Sequence, residues 1–169
     1  MTTKFIHTVG IVTASDKGSL GERKDESGPL IEKLMTEAGY RVVSLRVLPD
    51  DEEILAEEIL RLCDEAKVSL VLTTGGTGFS PRDVTPEATK RVIDREVPGI
   101  PEAIRAESFK ITPRAMLSRA IAGIRCRTLV VNLPGSPKAV KEALAVILPS
   151  LVHGLDILRE KDGECAGKD

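Results

Sequence analysis

Short, strongly apolar runs alternate along this chain with longer segments in which apolar residues recur at helical spacing. Val68–Leu72 and Leu129–Leu133 are each apolar at four of five positions, which is typical of strands buried on both faces of a parallel sheet. Leu30–Ala38 and Leu55–Ala66 each carry one apolar stripe of the kind that an amphipathic helix buries. We therefore predict an α/β fold, a three-layer α/β/α sandwich around a mostly parallel sheet.

The 169 residues are enough for one domain with a substantial core, and no linker divides them. We predict a single domain over residues 1–162 and a disordered polar tail over residues 163–169. Residues 113–127 are the least readable part, because their pattern allows either one helix or a loop followed by an antiparallel strand.

Composition argues against several classes of partner. Aromatic residues make up 2% of the chain and the net charge is −2, so the chain offers neither stacking platforms nor a broad basic face to nucleic acid. No apolar run approaches membrane-spanning length. Three cysteines without metal-ligand spacing or a signal peptide are typical of a reducing compartment. We predict a cytoplasmic protein with no nucleic-acid or membrane partner.

A glycine-rich loop separates the predicted strand Val68–Leu72 from a helix start at Thr85-Pro86. Closely spaced glycines allow backbone N–H groups to turn toward an anion, while hydroxyls and an arginine add donors. The candidate phosphate-binding residues are Gly75, Gly76, Thr77, Gly78, Ser80 and Arg82. The spacing matches neither a P-loop nor a dinucleotide fingerprint, and a glycine-rich turn without a ligand stays open as the alternative.

Two aspartates are candidate metal ligands. Asp83 lies at the end of the glycine-rich loop, where a carboxylate would repel a phosphate unless a metal ion lay between them. Asp50 follows the second predicted strand, and from the residues alone its simplest role is the N-cap of the next helix, a role that Asp51 could equally fill. Paired carboxylates without a useful histidine or cysteine favour an oxygen-liganded cation such as Mg²⁺.

The polar loops of interest all follow predicted strands. They are Ser15-Asp16, Pro49-Asp50, Gly75–Asp83 and Pro134-Gly135-Ser136. In an open parallel sheet, ligands bind at the carboxyl ends of the strands. If these strands are parallel, the four loops form one site at one edge of the sheet.

Three of these stretches together resemble the molybdopterin adenylyltransferase family of molybdenum cofactor biosynthesis, to which gephyrin-type domains are related. The stretches are Thr73–Ala88, Leu48–Asp51 and Asn132–Pro137, and they occur in the family's order. The resemblance extends from about Thr8 to about Leu158, nearly the whole chain.

The resemblance implies transfer of AMP from Mg²⁺-ATP to the terminal phosphate of molybdopterin, with release of pyrophosphate. It implies that Asp50 and Asp83 are the catalytic, metal-binding pair and that Ser15 and Asp16 lie on the nucleotide side. It places Pro134, Gly135 and Ser136 at the pterin. It favours an antiparallel strand through Ser118–Gly123 and a homotrimer or dimer of trimers.

Two other functions stay open at this stage. A non-catalytic relative could bind and carry molybdopterin, and a related scaffold domain could act mainly through protein contacts. Possession of both Asp50 and Asp83 favours the enzyme over the carrier.

Overall fold

A computed structural model of the chain describes residues 7–160; the predicted boundary at 162 and the tail over 163–169 lie outside the described residues. The described chain forms one sheet of six strands, in the order β2-β1-β3-β6-β5-β4. The strands are β1 (Thr8–Ala14), β2 (Arg41–Leu48), β3 (Leu70–Thr74), β4 (Arg95–Glu96), β5 (Ala122–Arg125) and β6 (Thr128–Leu133). Neighbours from β2 to β6 pair in parallel, whereas β5 is antiparallel to both β6 and β4, so β5 alone runs against the others.

Helices cover both faces of this sheet. They are α1 (Asp16–Ser19), α2 (Ser27–Glu37), α3 (Glu52–Leu60), α4 (Thr85–Val92), α5 (Gly99–Phe109) and α6 (Pro137–Glu160), with a π-helical turn at Arg61–Glu65 and a 3₁₀ helix at Pro113–Leu117. The core divides accordingly into two clusters. One packs α2, α5 and α6 on the sheet through residues such as Ile31, Ile104 and Leu144, and the other packs α3 and α4 through Leu55 and Val92. The predicted three-layer sandwich is confirmed.

Alternate residues of the central strands belong to opposite clusters. Leu70 and Leu72 of β3 pack in the α2–α5–α6 cluster, whereas Val71 between them packs in the α3–α4 cluster. Burial on both faces is what the nearly uninterrupted apolar run of β3 indicates, because neither face of a central parallel strand meets water.

The segment over residues 113–127 resolves into the 3₁₀ helix, a short loop and β5. The antiparallel strand is confirmed, although it covers Ala122–Arg125 rather than Ser118–Gly123. The preceding residues lie outside the sheet, and Arg105 on α5 donates to the carbonyls of Ser118 and Ala120 there, at 3.3 and 2.8 Å.

The four parallel strands β2, β1, β3 and β6 end at Leu48, Ala14, Thr74 and Leu133. Their carboxyl ends therefore lie at one edge of the sheet, as predicted, and bring the four polar loops together. Within residues 7–160, no helix combines the length and the apolarity required to cross a bilayer.

Candidate active site

The glycine-rich loop leaves β3 in a backbone conformation that favours glycine. Gly75 and Gly76 have φ of 87° and 67°, in the left-handed region where a side chain is strained. A Cβ on Gly75 would also lie 2.5 Å from the carbonyl oxygen of Ala14. Gly78 has no positive φ, but a Cβ there would lie 2.8 Å from Asp83 Oδ2. The three glycines thus allow the loop to fold closely against its neighbours.

Asp50 and Asp16 join the ends of β2 and β1 through reciprocal hydrogen bonds. The Asp16 N–H donates to Asp50 Oδ2 at 2.9 Å, and the Asp50 N–H donates to Asp16 Oδ1 at 3.0 Å. Arg82 from the glycine-rich loop donates to both oxygens of Asp16, each at 2.9 Å. Arg82, predicted to contact phosphate, is thus engaged with a carboxylate here. It lowers the pKa of Asp16, chiefly through its hydrogen bonds.

Of the two aspartates that could cap the helix after β2, Asp51 does so and Asp50 does not. Asp51 is the N-cap of α3, and its Oδ1 accepts from the N–H groups of Glu53 and Ile54, each at 3.0 Å. Asp50 therefore keeps its Oδ1 atom free of hydrogen bonds to the described residues. This leaves Asp50 one residue before the cap, with its carboxylate at the sheet edge rather than on the helix.

Asp83 closes the glycine-rich loop onto itself. Its Oδ2 accepts from the Ser80 N–H at 2.9 Å, and Ser80 Oγ accepts from the Arg82 N–H at 3.3 Å.

Burial raises the pKa of Asp50. The hydrogen bond from the Asp16 N–H opposes this shift, and the charges of Asp16 and Asp83 add to it. The negative charge of Asp83 thus reaches Asp50 across the glycine-rich loop.

The loop after β6 is held against the loop after β3. The Thr74 hydroxyl donates to the carbonyl of Pro134 at 2.6 Å, and the Ser27 hydroxyl donates to the carbonyl of Gly135 at 2.7 Å. A Cβ on Gly135 would lie 3.4 Å from the Cα of Gly75, so the two loops touch through their backbones. Ser136 immediately precedes α6, and its Oγ accepts from the Ala139 N–H in the first turn of that helix at 3.2 Å.

A polar cavity of about 320 Å³ lies beside these loops. Its lining includes four predicted site residues, Ser15, Gly75, Gly135 and Ser136, together with two basic and two acidic residues of the segment Arg23–Glu26. Ser15 also caps α1, accepting from the Gly18 N–H at 3.0 Å. Asp50 and Asp83 do not line this cavity. The predicted residues therefore divide between a polar cavity and a carboxylate cluster, with the Gly75-Gly76 turn between the two.

Arg119 is a site residue that the sequence reasoning missed. Its guanidinium donates to the carbonyls of Gly78 and Asp83, at 2.7 and 2.6 Å, and it also hydrogen-bonds the Glu87 carboxylate. Its backbone N–H donates to the carbonyl of Thr77 at 2.9 Å. One side chain thus fixes both ends of the stretch from Gly78 to Asp83. Burial tends to raise the pKa of Glu87, but the Arg119 hydrogen bond, a backbone hydrogen bond and the Arg119 charge together lower it.

Replacing Arg119 with lysine is expected to loosen the glycine-rich loop while leaving the sheet intact. A single ammonium cannot reproduce a planar fork that reaches two carbonyls and a carboxylate. Hydrogen exchange of the amides from Thr77 to Asp83 should be faster than in the wild type. Arg114→Lys, a change at an exposed arginine of the nearby 3₁₀ helix, is the control and should leave this exchange unchanged. Equal exchange rates in both variants would contradict the role given to Arg119.

The two carboxylates of Asp50 and Asp83 would suit a cation that takes most of its ligands from substrate and water. Within residues 7–160, no group of three or more histidine, cysteine, aspartate or glutamate side chains is placed to hold a metal ion. Asp50 and Asp83 supply two carboxylates, and the crowding of negative charge around Asp50 is what a cation would relieve. Mg²⁺ is bound in this manner, through one or two carboxylates together with substrate phosphates.

Comparison with known proteins agrees with this geometry. Residues 10–153 match the family model described as "Probable molybdopterin binding domain". The chain is 38% identical to the molybdopterin adenylyltransferase of Helicobacter pylori, over 89% of this chain and 86% of the relative. It is 42% identical to the molybdopterin adenylyltransferase of Escherichia coli, over 87% of this chain and 78% of the relative.

A solved structure has the same fold. The molybdopterin biosynthesis enzyme MoaB from Thermus thermophilus superposes with a TM-score of 0.87 at 43% identity, covering 92% of this chain and 98% of that one. With a matching family model over most of its length and relatives that share its sequence and fold, the chain belongs to the molybdopterin-binding domain family of molybdenum cofactor biosynthesis, which includes the molybdopterin adenylyltransferases.

Proposed function

We propose that this chain transfers AMP from Mg²⁺-ATP to the terminal phosphate of molybdopterin and releases pyrophosphate. The observation that carries the proposal is the meeting, at one sheet edge, of a glycine-rich loop, the Asp50 and Asp83 carboxylates, and a polar cavity. The names of the relatives at 38% and 42% identity support the same activity.

The chemistry needs positioning more than a strong base. An oxygen of the pterin phosphate attacks the α-phosphorus of ATP, a new P–O–P link forms, and the α–β bond breaks so that pyrophosphate leaves with the bonding electron pair. The nucleophile is largely ionised near neutral pH, because the second pKa of a phosphate monoester is about 6. What remains is in-line placement and neutralisation of charge.

The residues divide this work between them. Asp50 and Asp83 would hold Mg²⁺, which when bound neutralises triphosphate charge. The backbone of Gly75–Gly78, with Thr77, Ser80 and Arg82, would bind phosphates. Ser15 and Asp16 would contact the nucleotide, while Pro134, Gly135 and Ser136 would seat the pterin.

The pH below which kcat/KM falls is expected to depend on Arg82. Asp50 must be ionised to bind a cation, so Mg²⁺-ATP binding is lost as pH falls through the raised pKa of Asp50. Arg82 lowers that pKa and also that of Asp16, so Arg82→Met should move the acid limb of kcat/KM to higher pH. Arg114→Met should leave the limb in place, and an unmoved limb in Arg82→Met would contradict this coupling.

Mass spectrometry of the reaction products tests the proposal and separates an enzyme from a carrier. With Mg²⁺-ATP and molybdopterin, the pterin should gain the mass of AMP. A protein that binds molybdopterin but leaves its mass unchanged would be a carrier. We further propose a homotrimer or dimer of trimers that acts in the cytoplasm, and light scattering of the purified protein tests the assembly.

A further inference from the structure

One buried hydroxyl near the carboxylate cluster lacks a partner. Thr85 begins α4 and is fully buried, yet its Oγ1 atom forms no hydrogen bond with any described residue. Buried hydroxyls are nearly always hydrogen-bonded, because an unpaired one loses its hydration without compensation. Thr85 therefore needs an explanation.

Other buried threonines beside the sheet have partners. Thr89, one turn further along α4, accepts from the Asn132 amide at 2.8 Å, and Thr73 accepts from the same amide at 2.9 Å. The Thr74 hydroxyl donates to the carbonyl of Pro134 at 2.6 Å. The unpaired hydroxyl thus distinguishes Thr85 from other buried threonines near it, including Thr89 of the same helix.

The unpaired hydroxyl lies under the Gly75-Gly76 turn, beside Asp50. A Cβ on Gly76 would lie 2.3 Å from Thr85 Oγ1 and 3.2 Å from Asp50 Oδ1. The hydroxyl and the carboxylate oxygen without a partner therefore face the same small space. A backbone hydrogen bond holds Thr85 against the turn, because the Thr85 N–H donates to the carbonyl of Gly76 at 3.1 Å.

We propose that Thr85 is a positioning residue for Asp50, its hydroxyl donating to Asp50 Oδ1 when the metal–nucleotide ligand is bound. The other carboxylate oxygen is already fixed by the Asp16 N–H. A donor on Oδ1 would hold the carboxylate in one orientation toward a cation, as partners of metal-binding carboxylates commonly do. The proposal rests on the proposed function, because it concerns the same Mg²⁺-ATP site.

Thr85→Val, an isosteric change that removes the hydroxyl, provides the test, with Thr85→Ser as the variant that retains it. Because the hydroxyl is unpaired without ligand, ligand-free Thr85→Val should melt at or above the wild-type temperature. Thr89→Val is the matched control, since it breaks a formed hydrogen bond and should lower the melting temperature by about 2–4 °C. Calorimetric titration should show that Thr85→Val binds Mg²⁺-ATP with a dissociation constant roughly tenfold or more above that of the wild type. Thr85→Ser should bind nearly as the wild type does, and ATP in EDTA should not discriminate between the proteins.

Each outcome decides the proposal. A melting temperature of ligand-free Thr85→Val as low as that of Thr89→Val would overturn it, because the hydroxyl would then be paired without ligand. Unchanged Mg²⁺-ATP affinity in Thr85→Val would also overturn it. A wild type that binds Mg²⁺-ATP and releases no pyrophosphate would refute the proposed function alone, whereas a wild type that does not bind Mg²⁺-ATP would refute both.

Discussion

Asp50→Asn is expected to lower turnover by about 100-fold or more while leaving the protein folded, because a neutral amide replaces the carboxylate that we propose binds the cation. The asparagine oxygen can still accept from the Asp16 N–H, which donates to Asp50 Oδ2 at 2.9 Å. Stability should not fall, because burial and the nearby charges of Asp16 and Asp83 raise the pKa of Asp50 and so disfavour its charged form in the fold. Steady-state pyrophosphate release and a thermal melt measure the two effects.

Asp51→Ala is the matched control at the neighbouring position. Asp51 caps α3, so its removal should destabilise the protein by about 1 kcal/mol while turnover stays near wild type. The adjacent aspartates should therefore give opposite results, one losing activity without stability and the other losing stability without activity. Near-normal turnover of Asp50→Asn would mean that Asp50 does not hold the metal.

The second large effect is expected from Gly76→Ala, which should abolish measurable binding of Mg²⁺-ATP. The added Cβ would lie 2.3 Å from Thr85 Oγ1 and 3.2 Å from Asp50 Oδ1, so the turn must move away from the carboxylate. The positive φ of 67° adds strain on the order of 1–2 kcal/mol. Calorimetric titration with Mg²⁺-ATP measures the loss of binding.

Gly21→Ala separates the cost of a positive φ from the steric clash of the added Cβ. Gly21 also has a positive φ, 73°, but a Cβ there would meet nothing within 4 Å. It should therefore show a similar backbone penalty in a thermal melt and normal affinity for Mg²⁺-ATP. Equal affinities of the Gly76 and Gly21 variants would mean that the turn does not contact the ligand.

The layout of the sheet could be predicted because it depends on local pattern. β3 and β6 are buried on both faces, and their apolar runs show this directly. Loops that follow parallel strands leave the sheet at the same edge. The proximity of Asp16, Asp50 and Asp83 could therefore be predicted without knowledge of any contact.

Details of the site depend on contacts that leave no such pattern. Asp50 and Asp51 are identical neighbours, and only the direction of each side chain decides which one caps α3. Arg82 and Asp16 pair across 66 residues of sequence. Arg119 acts on the carbonyls of Gly78 and Asp83, and a carbonyl acceptor can belong to any residue, so no residue type marks the contact.

The central claim is tested most directly by pyrophosphate release from wild-type protein with Mg²⁺-ATP, measured with and without molybdopterin, and compared with Asp83→Asn. The asparagine can still accept from the Ser80 N–H, so this variant should keep the loop and lose mainly the charge. We expect one pyrophosphate for each pterin adenylylated, none without molybdopterin, and a sharp loss of release in Asp83→Asn. Absence of release by the wild type, or full release by a folded Asp83→Asn protein, would contradict the proposed function and its site.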